Sequence, residues 1–299
     1  MKTLVVVLGP TGVGKTELCL RLAEHFNVPI INADSRQIFE ELPIGTAAPT
    51  AEQQKRVKHY FVGNHHIQDY YSASMYEQDV MTLLPELFTD SNLALMTGGS
   101  MMYIDAVCNG IDDIPTVTGE IRLMMKERLA VEGLTSLVNE LRELDPKHWE
   151  EVDRNNPRRV VHALEICHMT GKPYSAFRTH ETKKRNFQIV KIGLNRERTE
   201  LYERINKRVD EMFSNGLVEE ARSLYPFKGL NALNTVGYKE LFKAFDGSWT
   251  LPEAKERIQG NTRKYCRKQL TWFKRDERIR WFIPHQIEDI ISTIQIETQ

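Results

Sequence analysis

The chain holds 299 residues with 40 Lys plus Arg against 41 Asp plus Glu, so its net charge of −1 excludes capture of polyanions by overall charge, and its length allows a large core in one or two domains. Cys19, Cys108, Cys167 and Cys266 are scattered without CxxC or Cys/His spacing, which argues against a zinc site and for reduced, packing thiols. No apolar stretch approaches the length of a bilayer crossing and no presequence pattern precedes the first strand, so a soluble, cytoplasmic protein with no membrane partner is expected.

Leu4-Val5-Val6-Val7-Leu8 reads as a buried strand. It runs directly into Gly9-Pro10-Thr11-Gly12-Val13-Gly14-Lys15-Thr16, which completes the pattern GxxxxGK[ST]. The order suits a polyphosphate: a strand ends, glycines let backbone N–H groups turn toward the anion, and a helix begins with its positive end facing it. Lys15 is placed for the outer phosphates and the Thr16 hydroxyl for Mg2+. Leu18, Leu22 and Phe26 then repeat at helical spacing, and Pro29-Ile30-Ile31 is a short strand ending in Asn32-Ala33-Asp34-Ser35. Ser74 with Glu77 reads as a capping box for a helix through Val80, Leu83, Leu84 and Leu87. Leu93-Ala94-Leu95-Met96-Thr97 is another buried strand, ending at Gly98-Gly99-Ser100 before a helix. The alternation predicts an α/β fold, a P-loop doubly wound parallel sheet, with Asp34, Ser35 and Ser100 facing the phosphate loop from the carboxyl ends of the strands.

From about Asp112 to Arg185 the pattern is helical throughout: 121–129, then 134–144 with Leu137 and Leu141 on one stripe, then helix starts at Asp145-Pro146 and Asn156-Pro157. The last of these runs through Val160, Ala163, Leu164 and Cys167 to a stop at Gly171-Lys172-Pro173. Residues 187–194 look like a strand returning to the sheet, and helices follow at 198–213, 217–224 and 238–245, with a long one from the capping box Thr250/Glu253. The expected organisation is therefore a first part of the core at 1–111, an all-helical insertion domain at 112–186, and a second part of the core at 187–299. Its final helices are basic: between Lys255 and Arg280 there are ten Lys or Arg against three acids.

A phosphate loop serves kinases, ATPases and any enzyme whose leaving group is diphosphate. Motor and switch ATPases usually carry an acid at the end of a second apolar strand, and 93–97 ends without one. Asp34 stands where a carboxylate can act as general base toward an acceptor beside the phosphates, and it is also placed to cap the turn that follows. On the loop alone, a small-molecule or nucleoside kinase using ATP stays open.

Further stretches complete a series: Ile31-Asn32-Ala33-Asp34-Ser35-Arg36-Gln37-Ile38-Phe39, Gly45-Thr46-Ala47-Ala48-Pro49, Gly98-Gly99-Ser100-Met101-Met102-Tyr103, Asn156-Pro157-Arg158-Arg159-Val160-Val161-His162-Ala163-Leu164-Glu165, Val236-Gly237-Tyr238-Lys239, and Thr262-Arg263-Lys264-Tyr265-Cys266-Arg267-Lys268-Gln269-Leu270-Thr271-Trp272-Phe273. In this order, after the phosphate loop, the chain resembles the tRNA dimethylallyltransferase family, also called tRNA isopentenyltransferase, over nearly its whole length. The resemblance implies transfer of a dimethylallyl group from dimethylallyl diphosphate to N6 of the adenosine 3′ of the anticodon, position 37 of tRNA, with release of diphosphate and with Mg2+ as cofactor. It implies Thr11 and Arg208, with Arg204 in reserve, as further diphosphate ligands beside Lys15 and Thr16, and Asp34 as the base. It implies tRNA contacts at Asp34, Ser35, Arg36, Gln37, Ser100, Arg122, Arg158, Arg159, Val160, Val161 and His162. Further contacts are implied at Asn234, Thr235, Val236, Gly237, Tyr238 and Lys239, and along the basic helix at Arg263, Lys264, Arg267, Lys268 and Gln269. The helical insertion is expected to clamp the anticodon stem, and the protein to be a monomer. The sequence departs from the family pattern at Ser100-Met101-Met102, where Thr and Gly-Leu are usual, at Phe39, where Tyr is usual, and at His162, where some members carry Arg.

Overall fold

Largely apolar runs of four to seven residues become the four central strands of one sheet. In the computed structural model, which describes residues 1–179 and 181–298, the chain begins with β1 (Thr3–Leu8), α1 (Lys15–Phe26), β2 (Ile30–Ala33), α2 (Ala51–Arg56), β3 (His59–Tyr60), α3 (Ala73–Asp90), β4 (Leu93–Gly98) and α4 (Met101–Asn109). Three helices follow, α5 (Gly119–Leu144), α6 (Pro146–Glu151) and α7 (Pro157–Thr170). The chain then re-enters the sheet as β5 (Gln188–Leu194) and continues through α8 (Arg198–Ser214), α9 (Leu217–Leu224), α10 (Tyr238–Phe245), α11 (Leu251–Phe273), β6 (Arg280–Phe282) and α12 (Ile287–Thr298).

The strand order is β3-β2-β4-β1-β5-β6 and every pairing is parallel. Side chains of β1 alternate between two cores, as the pleat requires. Val5 and Val7 pack with Leu18, Leu22, Leu201, Ile205 and Ile290 on one face. Leu4, Val6 and Leu8 pack with Tyr76, Val80, Leu84, Ile104 and Val107 on the other. With β4 and β5 on either side of it, β1 delivers the glycine loop to the middle of the sheet's carboxyl edge, where open α/β sheets hold ligands.

Two compact units result, Met1–Asn109 with Lys184–Gln299, and Gly110–Lys183. The second is all-helical around Met125, Leu137, Leu141, Val160, Ala163 and Leu164. Gly133, at φ 78° and ψ 169°, breaks α5 into the two helices expected there. Asp145 and Asn156 cap α6 and α7 through side-chain bonds to the His148 and Arg159 amides, each ahead of a proline, and α7 stops on a left-handed Gly171. The helical unit spans Gly110–Lys183 where 112–186 was read from sequence. Arg185 falls with the sheet because its guanidinium bonds Glu77 at 2.6 Å and the carbonyls of Ala106 and Val107 at 2.8 and 2.9 Å.

That ion pair also displaces the expected capping box. Ser72 caps α3 by accepting the Met75 amide, while Glu77 is buried against Arg185. The short α2, β3 and β6 and the final α12 were not read from sequence. Among the described residues no helix is long and apolar enough to cross a membrane.

Candidate active site

The glycine loop leaves its helix open to an anion. Gly14, at φ 106°, is the residue before α1 and offers no side-chain cap, so among the described residues no side chain caps the first amides of the helix. Gly12, at φ 82°, lets α8 approach: a Cβ there would lie 2.8 Å from Ile205 Cγ1. The loop carbonyls face cations. Lys15 Nζ donates to Gly9 and Pro10 O at 2.8 and 3.0 Å, Arg204 Nε to Gly12 O at 2.9 Å, and Arg196 Nε to Val13 O at 2.7 Å. Because a peptide plane sends N–H opposite to C=O, the Arg196 bond turns the Gly14 amide away from the carbonyl side. Burial and the neighbouring Arg208 charge lower the Lys15 ammonium to about 8, with Asp34 opposing the shift. An anion bound beside it would favour the charged form and raise that pKa again.

Two cavities meet here. One, about 100 Å³, is lined by Thr11, Gly12, Gly14, Lys15 and Thr16 and, beyond them, by Cys19, Ile30, Ala47, Pro49 and His59. The other, about 350 Å³, is lined by Ser35, Arg36, Met212, Asn234, Thr235, Val236, Gly237 and Lys239. Thr11, Asp34, Thr46, Arg208 and Tyr265 line both. The loop after β1, the long connection from β2 to α2, α8 and α11 supply this shared wall, which explains why no local pattern displays it.

Asp34 meets both of its sequence readings. Oδ1 accepts the amide hydrogens of Arg36 and Gln37 at 2.9 and 3.3 Å, capping the turn, while Oδ2 takes no hydrogen bond among the described residues. Arg208 lines both cavities, and its burial and the nearby Arg204 lower its pKa. Arg204, the reserve, holds a loop carbonyl instead.

Other expected contacts are committed to protein partners or lie off the shared wall, with Gln37 and Gln269 lining the first cavity. Gln37 spends its amide donors on Thr46 and Ala47 O, both at 3.0 Å, anchoring a segment in which Ala47 adopts φ 50°. Ser100 is buried and lines neither cavity, its amide bonded to Ala33 O at 3.1 Å. Tyr238 is fully buried with its hydroxyl on Glu220 at 2.6 Å. Gln269 is buried beneath the phosphate loop, apart from the exposed Lys264, Arg267 and Lys268 of the same helix. Arg263 bonds Asn206, and Arg267 bonds the Tyr202 hydroxyl at 2.9 Å. In the helical unit Arg158 and Arg159 are exposed and Arg122 is half-buried. His162 sits 3.3 Å from Glu165, Val160 lies wholly in the core, and Val161 packs against that core. Arg196 and Tyr265 were not singled out from sequence. Tyr265 lies four residues before Gln269, one helical turn away, so the face of α11 it shares was the available signal.

No group of His, Cys, Asp and Glu among the described residues can hold a metal ion by itself. Thr16 contributes a hydroxyl to the first cavity, a donor that suits Mg2+ bound chiefly through substrate phosphate oxygens and water.

A family model described as IPP transferase matches residues 37–276. The "tRNA dimethylallyltransferase 2" of Parabacteroides distasonis is 62% identical over 98% of both chains. The "tRNA dimethylallyltransferase 1" of Bacteroides fragilis is 60% identical, again over 98% of both. Among solved structures, the full-length tRNA isopentenylpyrophosphate transferase of Bacillus halodurans superposes with a TM-score of 0.73 at 32% identity, covering 100% of this chain and 97% of that one. These likenesses set aside the kinase alternative that the glycine loop left open. End-to-end identity at this level, over a parallel sheet of matching architecture, shows that the chain belongs to the IPP transferase family of tRNA dimethylallyltransferases.

Proposed function

We propose that this protein transfers a dimethylallyl group from dimethylallyl diphosphate to N6 of the adenosine 3′ of the anticodon in tRNA. The observation that carries the reading is the shared wall: an anion cradle and a second, larger cavity meet at Thr11, Asp34, Thr46, Arg208 and Tyr265. That is the topology a group transfer requires, with donor and acceptor entering separately and reacting across a common boundary.

In the reaction the allylic C–O bond breaks and its electron pair leaves with the diphosphate, while the N6 lone pair forms the new C–N bond. The main barrier is charge growing on the leaving group, and the amides opening α1, the Lys15 ammonium and the Arg208 guanidinium are fixed donors aimed at it. The Thr16 hydroxyl would help to hold Mg2+, which when bound would supply further charge neutralisation to the leaving diphosphate. Adenine N6 is a weak nucleophile because its lone pair is delocalised, so Asp34 Oδ2 takes its proton as the bond forms. The base must leave its stack to arrive, and the second cavity, bordered by Ser35, Arg36 and Lys239, is the receptacle we assign to it. Exposed Lys264, Arg267 and Lys268 supply the salt-sensitive grip on the RNA backbone. Because a single chain supplies the whole wall, a monomer acting on cytoplasmic tRNA suffices.

The test is direct. Protein, Mg2+, dimethylallyl diphosphate and an anticodon stem-loop should yield RNA heavier by one five-carbon unit, on the expected adenosine. RNA of unchanged mass, with ATP consumed in the presence of a nucleoside, would defeat the reading.

A further inference from the structure

Gln269 is 1% exposed, on a helix whose adjacent Arg267 and Lys268 face solvent. Its Oε1 accepts the Thr11 amide hydrogen at 2.9 Å, and its Nε2 donates to the Gly99 carbonyl at 2.7 Å. One side chain thus ties the loop after β1 to the loop after β4. Position 99 is shaped around it, since a Cβ there would stand 2.4 Å from Nε2.

The consequence runs through a peptide plane. The Thr11 N–H and the Pro10 C=O belong to one rigid unit and point in opposite directions. Pro10 O accepts from Lys15 Nζ at 3.0 Å and from the Val13 amide at 3.3 Å. Holding the Thr11 hydrogen therefore sets where the Pro10 oxygen stands, and that oxygen, with Gly9 O, sets where the ammonium stands. The same bond removes the Thr11 amide from the set of phosphate donors, leaving the Thr11 side chain to serve the shared wall.

We infer that Gln269 is a positioning residue: from the last long helix it fixes the Pro10–Thr11 peptide, so that Lys15 and Thr11 meet the diphosphate in working geometry. The inference rests on the transfer reading above, and it differs from the direct tRNA contact that the basic motif implied for this residue.

Gln269→Met keeps length and removes both bonds. Loss of one buried hydrogen bond at the cradle should raise KM for dimethylallyl diphosphate about tenfold and weaken inorganic diphosphate binding in parallel, with anticodon stem-loop affinity held within about twofold. A merely structural role would lower the melting temperature and the active fraction while leaving KM where it was, and that result overturns the inference. So does a loss confined to RNA affinity. If the methionine variant does not fold, Gly99→Ala asks the same question with the glutamine retained, because its methyl pushes the amide off Thr11. Equal weakening of diphosphate binding supports the inference, and unchanged binding ends it. Diphosphate titration of wild type against variant remains decisive even if the wild-type protein never prenylates RNA, an outcome that defeats only the transfer reading.

Discussion

Glu220 and Tyr238 share a hydrogen bond of 2.6 Å that closes a clamp on residues 44–49. The same carboxylate accepts the Ile44 and Gly45 amides, each at 2.8 Å, and Gln37 holds the far side of the segment through the Thr46 and Ala47 carbonyls. Gly45 is obligatory there, since a Cβ would fall 2.5 Å from the Tyr238 oxygen. Burial, with Glu220 beside it, raises the Tyr238 hydroxyl well above its ordinary pKa, so it stays a donor. Thr46, on the shared wall, is therefore held by a carboxylate outside both cavities.

Glu220→Gln should cost about 2–3 kcal/mol of stability, because one acceptor for a backbone amide becomes a donor facing it, and charged-acceptor bonds are worth about 1.5–3 kcal/mol. Transfer should fall more than tenfold in kcat/KM. Tyr238→Phe, which removes a single donor, should lose about 1 kcal/mol. Thermal melts and transfer assays check both, and full activity in Glu220→Gln would show that the segment needs no clamp.

The two tasks of Asp34 can be separated. Asp34→Asn keeps an oxygen for the Arg36 and Gln37 amides but has no basicity, so kcat should drop by about 10²–10⁴ with KM values and melting temperature little changed. Asp34→Ala also opens the turn and should add about 1 kcal/mol of destabilisation. RNA binding, measured by titration with the stem-loop, should survive both changes. Near wild-type kcat in the asparagine variant would remove Asp34 as the base.

Strands at the middle of a parallel sheet are largely apolar, so β1, β2, β4 and, around its buried Lys191, β5 were visible, and the caps at Asp145, Asn156 and Thr250 announced their helices by local chemistry. Two-residue β3 and three-residue β6 are too short to carry a period. The pattern for α12 was present, with Ile287, Ile290, Ile291 and Ile294 at helical spacing. The cradle was legible because its parts are contiguous. Gln269 was legible only as a member of a basic motif, since its bond to Thr11 spans 258 positions and its burial is a property of the fold. Glu77 misled for the same reason: its partner, Arg185, lies 108 positions away.

Lys15 should leave a signature in pH dependence. Burial and Arg208 lower its pKa from 10.5 to about 8 in the folded protein. Below about pH 8 the ammonium is charged in both folded and unfolded chains, and its burial cost is felt in full. Between about 8 and 10.5 the folded chain binds fewer protons than the unfolded one, so this residue makes stability rise with pH. Diphosphate binding has the opposite sign, because the anion favours the protonated amine. Titration calorimetry at about pH 9, in two buffers of different ionisation heat, should therefore report proton uptake on binding that Lys15→Met abolishes. Identical uptake in that variant would assign the proton elsewhere.

The helical unit permits a residue-by-residue test of the run from Arg158 to His162. Arg158 and Arg159 are exposed at the start of α7, whereas Val160, the next residue, is 0% exposed among Leu137, Leu141 and Leu164. If the two arginines meet RNA phosphates, replacing both by alanine should weaken stem-loop binding and reduce the slope of log K against log salt by about one to two. Val160→Ala removes buried methyl groups and should cost about 1–2 kcal/mol in stability while leaving that slope alone. The contrast matters because both substitutions lower transfer, one through RNA affinity and the other through the folded fraction, and only the salt slope separates them. An unchanged slope in the double-arginine variant would take this end of α7 out of the RNA interface.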